Sequence, residues 1–318
     1  MKKFSLLFLI NLSVLVTAVA QRQNNYYLTN NGKHVSTIDS ADYIRVVQEP
    51  EKGSAFYPTL EFYRNGNKKS IGYSSRIEPP RYEGQFRSYY MNGNRRQVLN
   101  YARGKITDTA YTYYPNGMLY SSSVYNQMKD SSTVYIKTVR DSAGKDLVTD
   151  GNGYAVFYDI DFKQVINKGG VKNGRLNGEW SGALIGKDTL NYRETYAEGV
   201  MLSGESSDNK GNVYHYTVSE VVPQYKEGPA AFYKYISRSV RYPRSLVSQK
   251  IQGIVQVSFT VLSTGEIGEV HAVNQVHPEM AAEAIRVIKS SKPWEPGVQK
   301  GRRVNVAYTI PVSFSLSN

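Results

Sequence analysis

The residues that could perform catalysis or bind a metal ion are few and poorly spaced. The chain of 318 residues contains no cysteine, which excludes disulfides, thiol catalysis and thiolate metal sites. Its only imidazole groups lack metal-ligand spacing: His34, His215, His271 and His277. Asp159 and Asp161 alternate on a predicted strand, which is typical of a solvated face. Because nucleophile-elbow and phosphate-loop motifs are also missing, the sequence predicts no enzyme, no cofactor and no metal site.

The composition favours a basic protein that is rich in β-structure. Lys and Arg number 39 against 27 Asp and Glu, which gives a net charge of +12 and favours anionic partners. There are 27 tyrosines but only 10 phenylalanines and 2 tryptophans. Tyrosine suits half-buried β-surfaces, where the ring packs and the hydroxyl stays wet.

The N-terminal segment has the pattern of a secretory signal. Lys2 and Lys3 precede an uncharged run, 4–21, which contains the small residues Ala18-Val19-Ala20 of a cleavage site. We therefore expect a signal peptide over residues 1–20 and a mature protein outside the cytoplasm, where nucleic acid is not an expected partner. The alternative is that the run stays uncleaved as an inner-membrane anchor.

A repeat region is predicted over residues 21–220. Asn-Gly recurs at 65–66, 92–93 and 116–117, each time after aromatic residues and with spacings of 27 and 24. Asn-Gly closes two-residue β-hairpins, so the period indicates an all-β stack of hairpins with a shared core. The pattern resembles the MORN-type repeat of bacterial antitoxin-like proteins. That resemblance implies a β-ribbon, which either docks protein, lipid or polysaccharide or is purely structural.

The pattern of polar and apolar residues changes after this region. Residues 221–228 are predicted to form a linker between two separately folding halves, and residues 229–318 to form an α+β domain with a three-stranded antiparallel sheet and two helices. The predicted elements, in order, are a helix around Phe232, strands over 254–262 and 267–274, a helix from Pro278 and a last strand over 304–316.

The C-terminal segment resembles the TonB C-terminal domain family in its Bacteroidetes form. The landmarks of that family stand in order at Tyr242 and Pro243, Gly253 and Phe259, Gly265, Glu283 and Ala284, Trp294, Pro296 and Gly297, and Phe314. The Pro-x-x-x-x-Gly-Gly that is usual upstream survives only as Pro223 and Gly228. The resemblance implies a periplasmic domain that captures an extended segment, the TonB box, of outer-membrane transporters.

Pro311 predicts where such a segment would dock. Proline has no N–H for a central ladder, so the last strand is expected at a sheet edge, where an extended peptide can add by backbone pairing. The predicted docking edge comprises Val304, Asn305, Val306, Ala307, Tyr308, Thr309, Ile310 and Pro311. Its outward side chains are expected to be the small ones of Asn305, Ala307 and Thr309.

Positive charge accompanies this edge. Residues 229–318 hold eleven Lys or Arg and five Asp or Glu, a net charge of 11 − 5 = +6. Lys300, Arg302 and Arg303 form a basic patch just before the docking strand, which predicts faster encounter with acidic segments. The alternative is an ordinary solvated loop.

Two further interpretations stay open. Transducers of the resembled family carry a membrane anchor and a long Pro-rich spacer, but residues 21–228 hold only six scattered prolines. A soluble binding protein is therefore favoured over a membrane-anchored energy transducer that contacts inner-membrane proton-motor proteins. A cell-envelope scaffold that binds through the Tyr-rich repeats is the third possibility.

Overall fold

A computed structural model of the chain describes residues 22–127, 132–186 and 188–316. The predicted signal peptide, residues 1–20, lies outside the described residues. The chain divides into two compact units, with the boundary between Asp146 and Leu147. Within the described ranges, no helix combines the length and the apolar character that a bilayer crossing requires.

The first unit is an antiparallel meander in which each strand pairs with the next one along the chain. Its strands are β1 (Gln23–Leu28), β2 (Tyr43–Gln48), β3 (Tyr57–Tyr63), β4 (Lys68–Ser74), β5 (Tyr82–Tyr89), β6 (Arg95–Ala102), β7 (Lys105–Tyr113), β8 (Leu119–Gln127) and β9 (Ser132–Arg140). A short 3₁₀ turn, Ile38–Ser40, separates the first two.

The second unit begins with a similar meander. Its strands are β10 (Asp146–Thr149), β11 (Asn152–Tyr158), β12 (Val165–Lys172), β13 (Arg175–Leu184), β14 (Leu190–Ala197), β15 (Val200–Asp208) and β16 (Val213–Tyr216). Close packing explains one of its glycines. A Cβ on Gly169 would lie 2.4 Å from the ring of Trp180, which stands opposite on β13. We call β10–β16 the ribbon of this unit.

The Asn-Gly hairpins at 65–66, 92–93 and 116–117 have three-residue loops, so the two-residue loops predicted there are wrong. The Tyr63 N–H donates to the Asn67 carbonyl at 2.8 Å, and the Gly66 N–H donates to the Tyr63 carbonyl at 2.9 Å. Only the glycine has a positive φ, +82° at Gly66, whereas Asn65 stays right-handed and accepts the Asn67 N–H. This is a type I turn followed by a glycine bulge, which needs one left-handed residue instead of two.

The tyrosines that precede these turns bind consecutive hairpins together. Each donates its hydroxyl hydrogen to a main-chain carbonyl of the next hairpin. The pairs are Tyr63 with Tyr89 at 2.8 Å, Tyr90 with Tyr113 at 2.7 Å and Tyr114 with Arg140 at 2.8 Å. The aromatic residue therefore recurs with the period because it satisfies the backbone of its neighbour.

Asp159 and Asp161 lie in a turn after β11, not on a strand as predicted. The Asp159 carboxylate accepts the Lys163 N–H at 2.7 Å, which is the usual role of aspartate in a turn.

The rest of the second unit is α+β. Its elements are β17 (Glu220–Val221), β18 (Gln224–Tyr225), α1 (Pro229–Ser239), α2 (Arg244–Ser248), β19 (Gly253–Val261), β20 (Ile267–Ala272), α3 (Pro278–Lys289), β21 (Trp294–Glu295), β22 (Gly297–Gln299), β23 (Arg302–Val304) and β24 (Val306–Phe314). The main sheet has the order β20-β19-β24, and its buried face carries a core closed by α1 and α3.

Residues 221–228 do not form a free linker. β17 pairs with β22, and β18 pairs with β21, so this segment belongs to the sheets of the C-terminal part. The side chain of Tyr225 is only 3% exposed and packs on Trp294. The division between the compact units lies at Asp146, so β10–β16 share a unit with the C-terminal domain, whereas the predicted boundary is at residues 221–228.

Candidate functional site

The last strand is positioned by its ladder with β19. The two strands pair antiparallel from Gly253 opposite Phe314 to Val261 opposite Val306. Alternate residues of both strands enter the core: Val255, Val257, Phe259 and Val261 from β19, and Ile310, Val312 and Phe314 from β24. The intervening residues of β24 are exposed. This period-two burial holds the strand rigidly while one side of it pairs with β19.

The other side of β24 is the edge of the sheet. Gln256 shows which backbone groups face that edge. Its N–H donates to the Asn274 side chain at 2.8 Å, and its carbonyl accepts the Val273 N–H at 2.9 Å, so both groups point towards β20. Pro311 lies directly opposite Gln256. Pro311 therefore occupies a pair without hydrogen bonds, and its missing N–H faces the open edge rather than the ladder.

The same alternation determines the direction of every backbone N–H and carbonyl group along β24. Residues 307, 309, 311 and 313 direct their backbone groups to the open edge, whereas the alternating residues 306, 308, 310, 312 and 314 bond to β19. The edge thus presents N–H donors at Ala307, Thr309 and Ser313, and carbonyl acceptors at these positions and at Pro311. A strand that adds here finds its regular pairing partners at Ala307 and Thr309 and loses one donor at Pro311.

The first two residues of the predicted docking edge lie outside β24. Val304 belongs to β23 and pairs with Gly297 in another small sheet. Asn305 is not available to a partner through its side chain, because its Oδ1 accepts the Ser263 N–H at 2.7 Å. The open edge therefore starts at Val306, the first residue of β24.

The basic patch is also different from the prediction. Lys300 is not a solvated residue: its side chain is only 12% exposed, and its Nζ lies 2.6 Å from Oε1 of Glu194. Arg302 is half-buried and only Arg303 is exposed. Lys300 cannot recruit a partner by long-range attraction, because its charge is compensated inside the unit.

The opposite edge of the sheet is less suited to strand addition. The register between β19 and β20 shifts between Ser258 and Thr260, and Glu269 has a φ of +41°. Such a bulge leaves a residue unpaired and turns the strand, and a charged residue on an edge opposes pairing with another chain. Of the two edges, that of β24 is the regular one.

A groove borders the C-terminal half of the open edge. It has a volume of about 380 Å³ and is lined on one side by Pro311, Ser313 and Phe314. Its other wall comes from α1 and the segment after it, with Tyr233, Val240 and Tyr242 among the lining residues. This groove can accommodate side chains of an added strand beside its backbone.

Gly265 and Trp294 join the β19–β20 turn to the segment after α3. Gly265 has a φ of +89°, and the carbonyl of Gly265 accepts a hydrogen bond from the Trp294 N–H at 2.7 Å. The Trp294 ring lies beneath the sheet, with ring centroids 4.7 Å from Phe232, 5.6 Å from Phe259 and 5.8 Å from Tyr308. Trp294 is therefore a core residue that supports β24 from below.

Two further landmarks fix the helices. The Tyr242 hydroxyl donates to the Ile251 carbonyl at 2.6 Å, and the Tyr242 ring packs on Phe314. The Glu283 carboxylate accepts the Arg241 N–H at 2.6 Å and pairs with Arg286 at 2.7 Å. Hydrogen bonding from Arg286 and from the backbone holds the pKa of Glu283 below its ordinary value. The remaining landmarks, Pro243 at the start of α2, Ala284 in the core and Pro296 beside Gly265, are structural in the same way.

Sequence reasoning missed the partners of Lys300. Glu194 is 4% exposed and accepts hydrogen bonds from the hydroxyls of Tyr196 and Tyr216, each at 3.0 Å. A buried glutamate on a strand gives no signal of its own, and only Gly301, as a general turn former, could have indicated the β22–β23 turn. In the part of the chain that the structure describes, no cluster of three or more His, Asp or Glu side chains is placed to hold a metal ion.

Comparisons with known proteins concern this part of the chain. Residues 238–316 match the family described as Gram-negative bacterial TonB protein C-terminal. The search of the curated proteins finds no match. Among solved structures, the NMR structure of the Helicobacter pylori TonB C-terminal domain is 28% identical, covering 27% of this chain and 78% of that one with a TM-score of 0.23. The C-terminal domain is thus TonB-like in sequence.

Proposed function

We propose that this protein is a periplasmic TonB-like protein that captures an extended segment of outer-membrane transporters by adding it as a strand to the edge of β24. The observation that carries the proposal is the orientation of the edge, where Ala307 and Thr309 both present an N–H and a carbonyl to solvent. The match of residues 238–316 to the TonB C-terminal family supports a TonB-box segment as the partner.

The open edge makes strand addition physically favourable. The core side of β24 is anchored by Ile310, Val312 and Phe314, whose side chains are at most 8% exposed, so the strand is already ordered before a partner arrives. A preformed edge spares most of the entropy cost of ordering one of the two strands. Each backbone hydrogen bond to the partner then contributes about 1 kcal/mol.

Replacing Ala307 with Pro tests the proposal. Because the Ala307 N–H points away from β19, the substitution removes a donor from the open edge and leaves the internal ladder intact. We expect the affinity for a synthetic TonB-box peptide to fall by about tenfold or more, which corresponds to about 1.4 kcal/mol. Isothermal titration calorimetry measures the affinity, and a thermal melt verifies that the variant folds.

A matched control lies on the other edge of the same sheet. Ala272 stands opposite Val257, and Val257 directs its backbone groups towards β24, so the N–H of Ala272 also points outwards. Ala272→Pro should therefore leave the affinity unchanged. Unchanged affinity in a folded Ala307→Pro variant, or an equal loss in both variants, would exclude the β24 edge as the docking site.

Thr309→Lys tests access to the same edge without changing its backbone donors. Thr309 is exposed, so the longer charged side chain is tolerated by the fold. Charged side chains on an edge strand oppose pairing. We expect weaker peptide binding with an unchanged melting temperature. Binding at the unsubstituted level would place the peptide away from Thr309.

The location of the protein is part of the proposal. We propose that residues 1–20 act as a cleaved signal peptide and that no proton-motor protein is contacted through an anchor. Mass spectrometry of the N-terminus in the soluble and membrane fractions tests this. A soluble product that starts at Gln21 supports the proposal, whereas a membrane-bound product that retains Met1 to Ala20 would support a transducer.

The repeat region is proposed to be MORN-like and to serve as the body that replaces a Pro-rich spacer. The regular hairpins and the tyrosine bonds between them support a stiff β-structure in the first unit. Recruitment of acidic segments is assigned to Arg302 and Arg303 alone, because Lys300 is engaged inside the unit.

A further inference from the structure

The hairpin that precedes the docking strand has the turn of a ribbon hairpin. Two-residue turns with two left-handed residues close the ribbon strands at Asp150-Gly151, Asn173-Gly174 and Glu198-Gly199. The β22–β23 hairpin has the same turn at Lys300-Gly301, with φ values of +50° and +79°. This type I′ turn fits the twist of a tight antiparallel pair. The C-terminal domain thus contains one hairpin built like those of the ribbon.

The turn of this hairpin is also hydrogen-bonded to neighbouring segments, through Lys300 rather than through its glycine. Within the ribbon, the Gly199 N–H donates to the Leu176 carbonyl of the preceding hairpin at 2.8 Å. At the C-terminal turn, the Lys300 N–H donates to the Ser219 carbonyl at 2.7 Å, and the Ser206 hydroxyl donates to the Lys300 carbonyl at 2.6 Å. The Lys300 carbonyl is therefore bound to the ribbon, and its N–H is bound to the segment that follows β16.

The adjoining glycine packs just as closely. A Cβ on Gly301 would lie 2.9 Å from Cβ of Tyr214 and 3.1 Å from the ring of Tyr216, both on the last ribbon strand. The chain then leaves that strand and forms β17, which pairs with β22 of the same hairpin. The hairpin is thus held both by contact with β16 and by pairing with the segment that follows it.

The Lys300 side chain completes a buried cluster. Its Nζ lies 2.6 Å from Oε1 of Glu194 and 4.0 Å from the ring centroid of Tyr192. The hydroxyls of Tyr196 and Tyr216 donate to the same carboxylate. Burial and the neighbouring Glu194 charge raise the pKa of Tyr216, which keeps this phenol protonated and able to donate. Without Lys300, the cluster would hold a buried negative charge with no cation.

The first unit contains a related combination within its own strands, in which Arg45 also pairs with the carboxylate of Glu61 at 3.0 Å. There Glu61 on β3 is buried, Lys69 on β4 lies 2.9 Å from its carboxylate, and the Lys69 Nζ stands 3.5 Å from the ring centroid of Tyr43. The lysine comes from the next strand along the chain. In the second unit the corresponding lysine is Lys300, which comes from the C-terminal hairpin.

We infer that the C-terminal domain supplies the closing hairpin of the ribbon and that Lys300 is the positioning residue that holds β24 in one fixed orientation on it. A single residue, Asn305, separates β23 from β24, and its side chain is bonded to the Ser263 N–H. A captured strand would therefore pull on a domain that is locked to the ribbon rather than tethered by a flexible linker. This fixed orientation of β24 on the ribbon is the same whichever segment β24 captures.

Electron paramagnetic resonance tests, in the full-length chain, whether the C-terminal domain has one fixed orientation on the ribbon. The protein has no cysteine, so Asn191→Cys on β14 and Ile254→Cys on β19, both exposed positions, can carry two spin labels without background labelling. We expect a single narrow distance distribution. Lys300→Met should broaden it, because the Glu194 carboxylate loses its cation and the ion pair no longer fixes the turn on the ribbon. Arg303→Met, on the same hairpin but exposed, should leave it narrow.

A second variant covers the possibility that Lys300→Met does not fold. Glu194→Gln combined with Lys300→Met removes both charges of the pair, so no unpaired charge stays buried. This double variant should fold, as circular dichroism would verify, yet still give a broad distribution. A broad distance distribution in the labelled protein without further substitution would overturn the fixed orientation of the C-terminal domain on the ribbon. A narrow distribution in the folded double variant would overturn the role of Lys300.

Discussion

The backbone of Gly265 passes so close to Trp294 that a Cβ on this glycine would lie 2.2 Å from the Trp294 carbonyl oxygen. The contact joins the β19–β20 turn to the segment that carries the tryptophan beneath the sheet. The obstacle is backbone, which cannot rotate away as a side chain can. Both the left-handed φ and the space therefore require glycine here.

Gly265→Ala should accordingly destabilise the second unit severely. We expect a loss of about 3 kcal/mol or more in the free energy of unfolding, from the strained φ and the displaced Trp294 backbone together. Gly211→Ala is a matched control, because Gly211 has a φ of +83° in a similar turn but no atom near its Cβ position. The control should cost only about 1 kcal/mol. Chemical denaturation measures both, and equal losses would show that the Trp294 contact contributes nothing.

Tyr63→Phe tests the bonds between hairpins of the first unit. The substitution removes the hydroxyl that donates to the Tyr89 carbonyl at 2.8 Å and keeps the ring. We expect a loss of about 1 kcal/mol in unfolding free energy, the net value of one hydrogen bond. Tyr73→Phe, at a side chain that is 45% exposed, provides the control and should be neutral. If the two variants have the same stability, the tyrosine hydroxyls do not bind the hairpins together.

Asp208 predicts an acid-sensitive turn after β15. Hydrogen bonding from the Asn212 side chain, together with the backbone N–H groups of Asn212 and Lys210, lowers the pKa of Asp208 from 3.8 to about 2. A carboxylate with a depressed pKa in the folded state stabilises the fold fully above its unfolded pKa. This contribution is lost as the pH falls from about 3.8 through about 2.

Thermal melts over that pH range test the direction in which the contribution of Asp208 to stability changes with pH. The stability advantage of the unsubstituted protein over Asp208→Asn should be constant at higher pH and shrink through this window. Asp161→Asn, at an exposed carboxylate whose pair with Lys163 spans 3.6 Å, should show no such convergence. An advantage of Asp208 that grows on acidification would contradict the assignment.

Some features of the fold follow from sequence patterns alone, because they depend on local chemistry. The alternation from Val304 to Leu316 predicts a strand with one buried face, of which Val306–Phe314 forms β24, and Pro278 predicts the start of α3. The loop length of the Asn-Gly hairpins does not follow, since Asn65 can adopt either a left-handed or a right-handed conformation. In the structure Asn65 is right-handed, and its side chain accepts the Asn67 N–H.

The partners of Lys300 show what local sequence patterns cannot predict. The residue stands in a basic run with Arg302 and Arg303, and such a run is usually a solvated surface. Its burial against Glu194 depends on a contact between positions that are far apart in the chain. No local pattern encodes that contact. The pairing of β17 and β18 with later strands is likewise non-local, so no local pattern predicts it.

Amide hydrogen exchange along β24, followed by nuclear magnetic resonance, tests strand capture at its open edge most directly. In the unbound protein, the outward N–H groups of Ala307 and Thr309 should exchange rapidly, whereas those of Tyr308 and Ile310, which bond to β19, should be protected. Addition of a TonB-box peptide should protect Ala307 and Thr309 selectively. Saturating peptide that leaves both outward amides in rapid exchange would contradict docking at this edge.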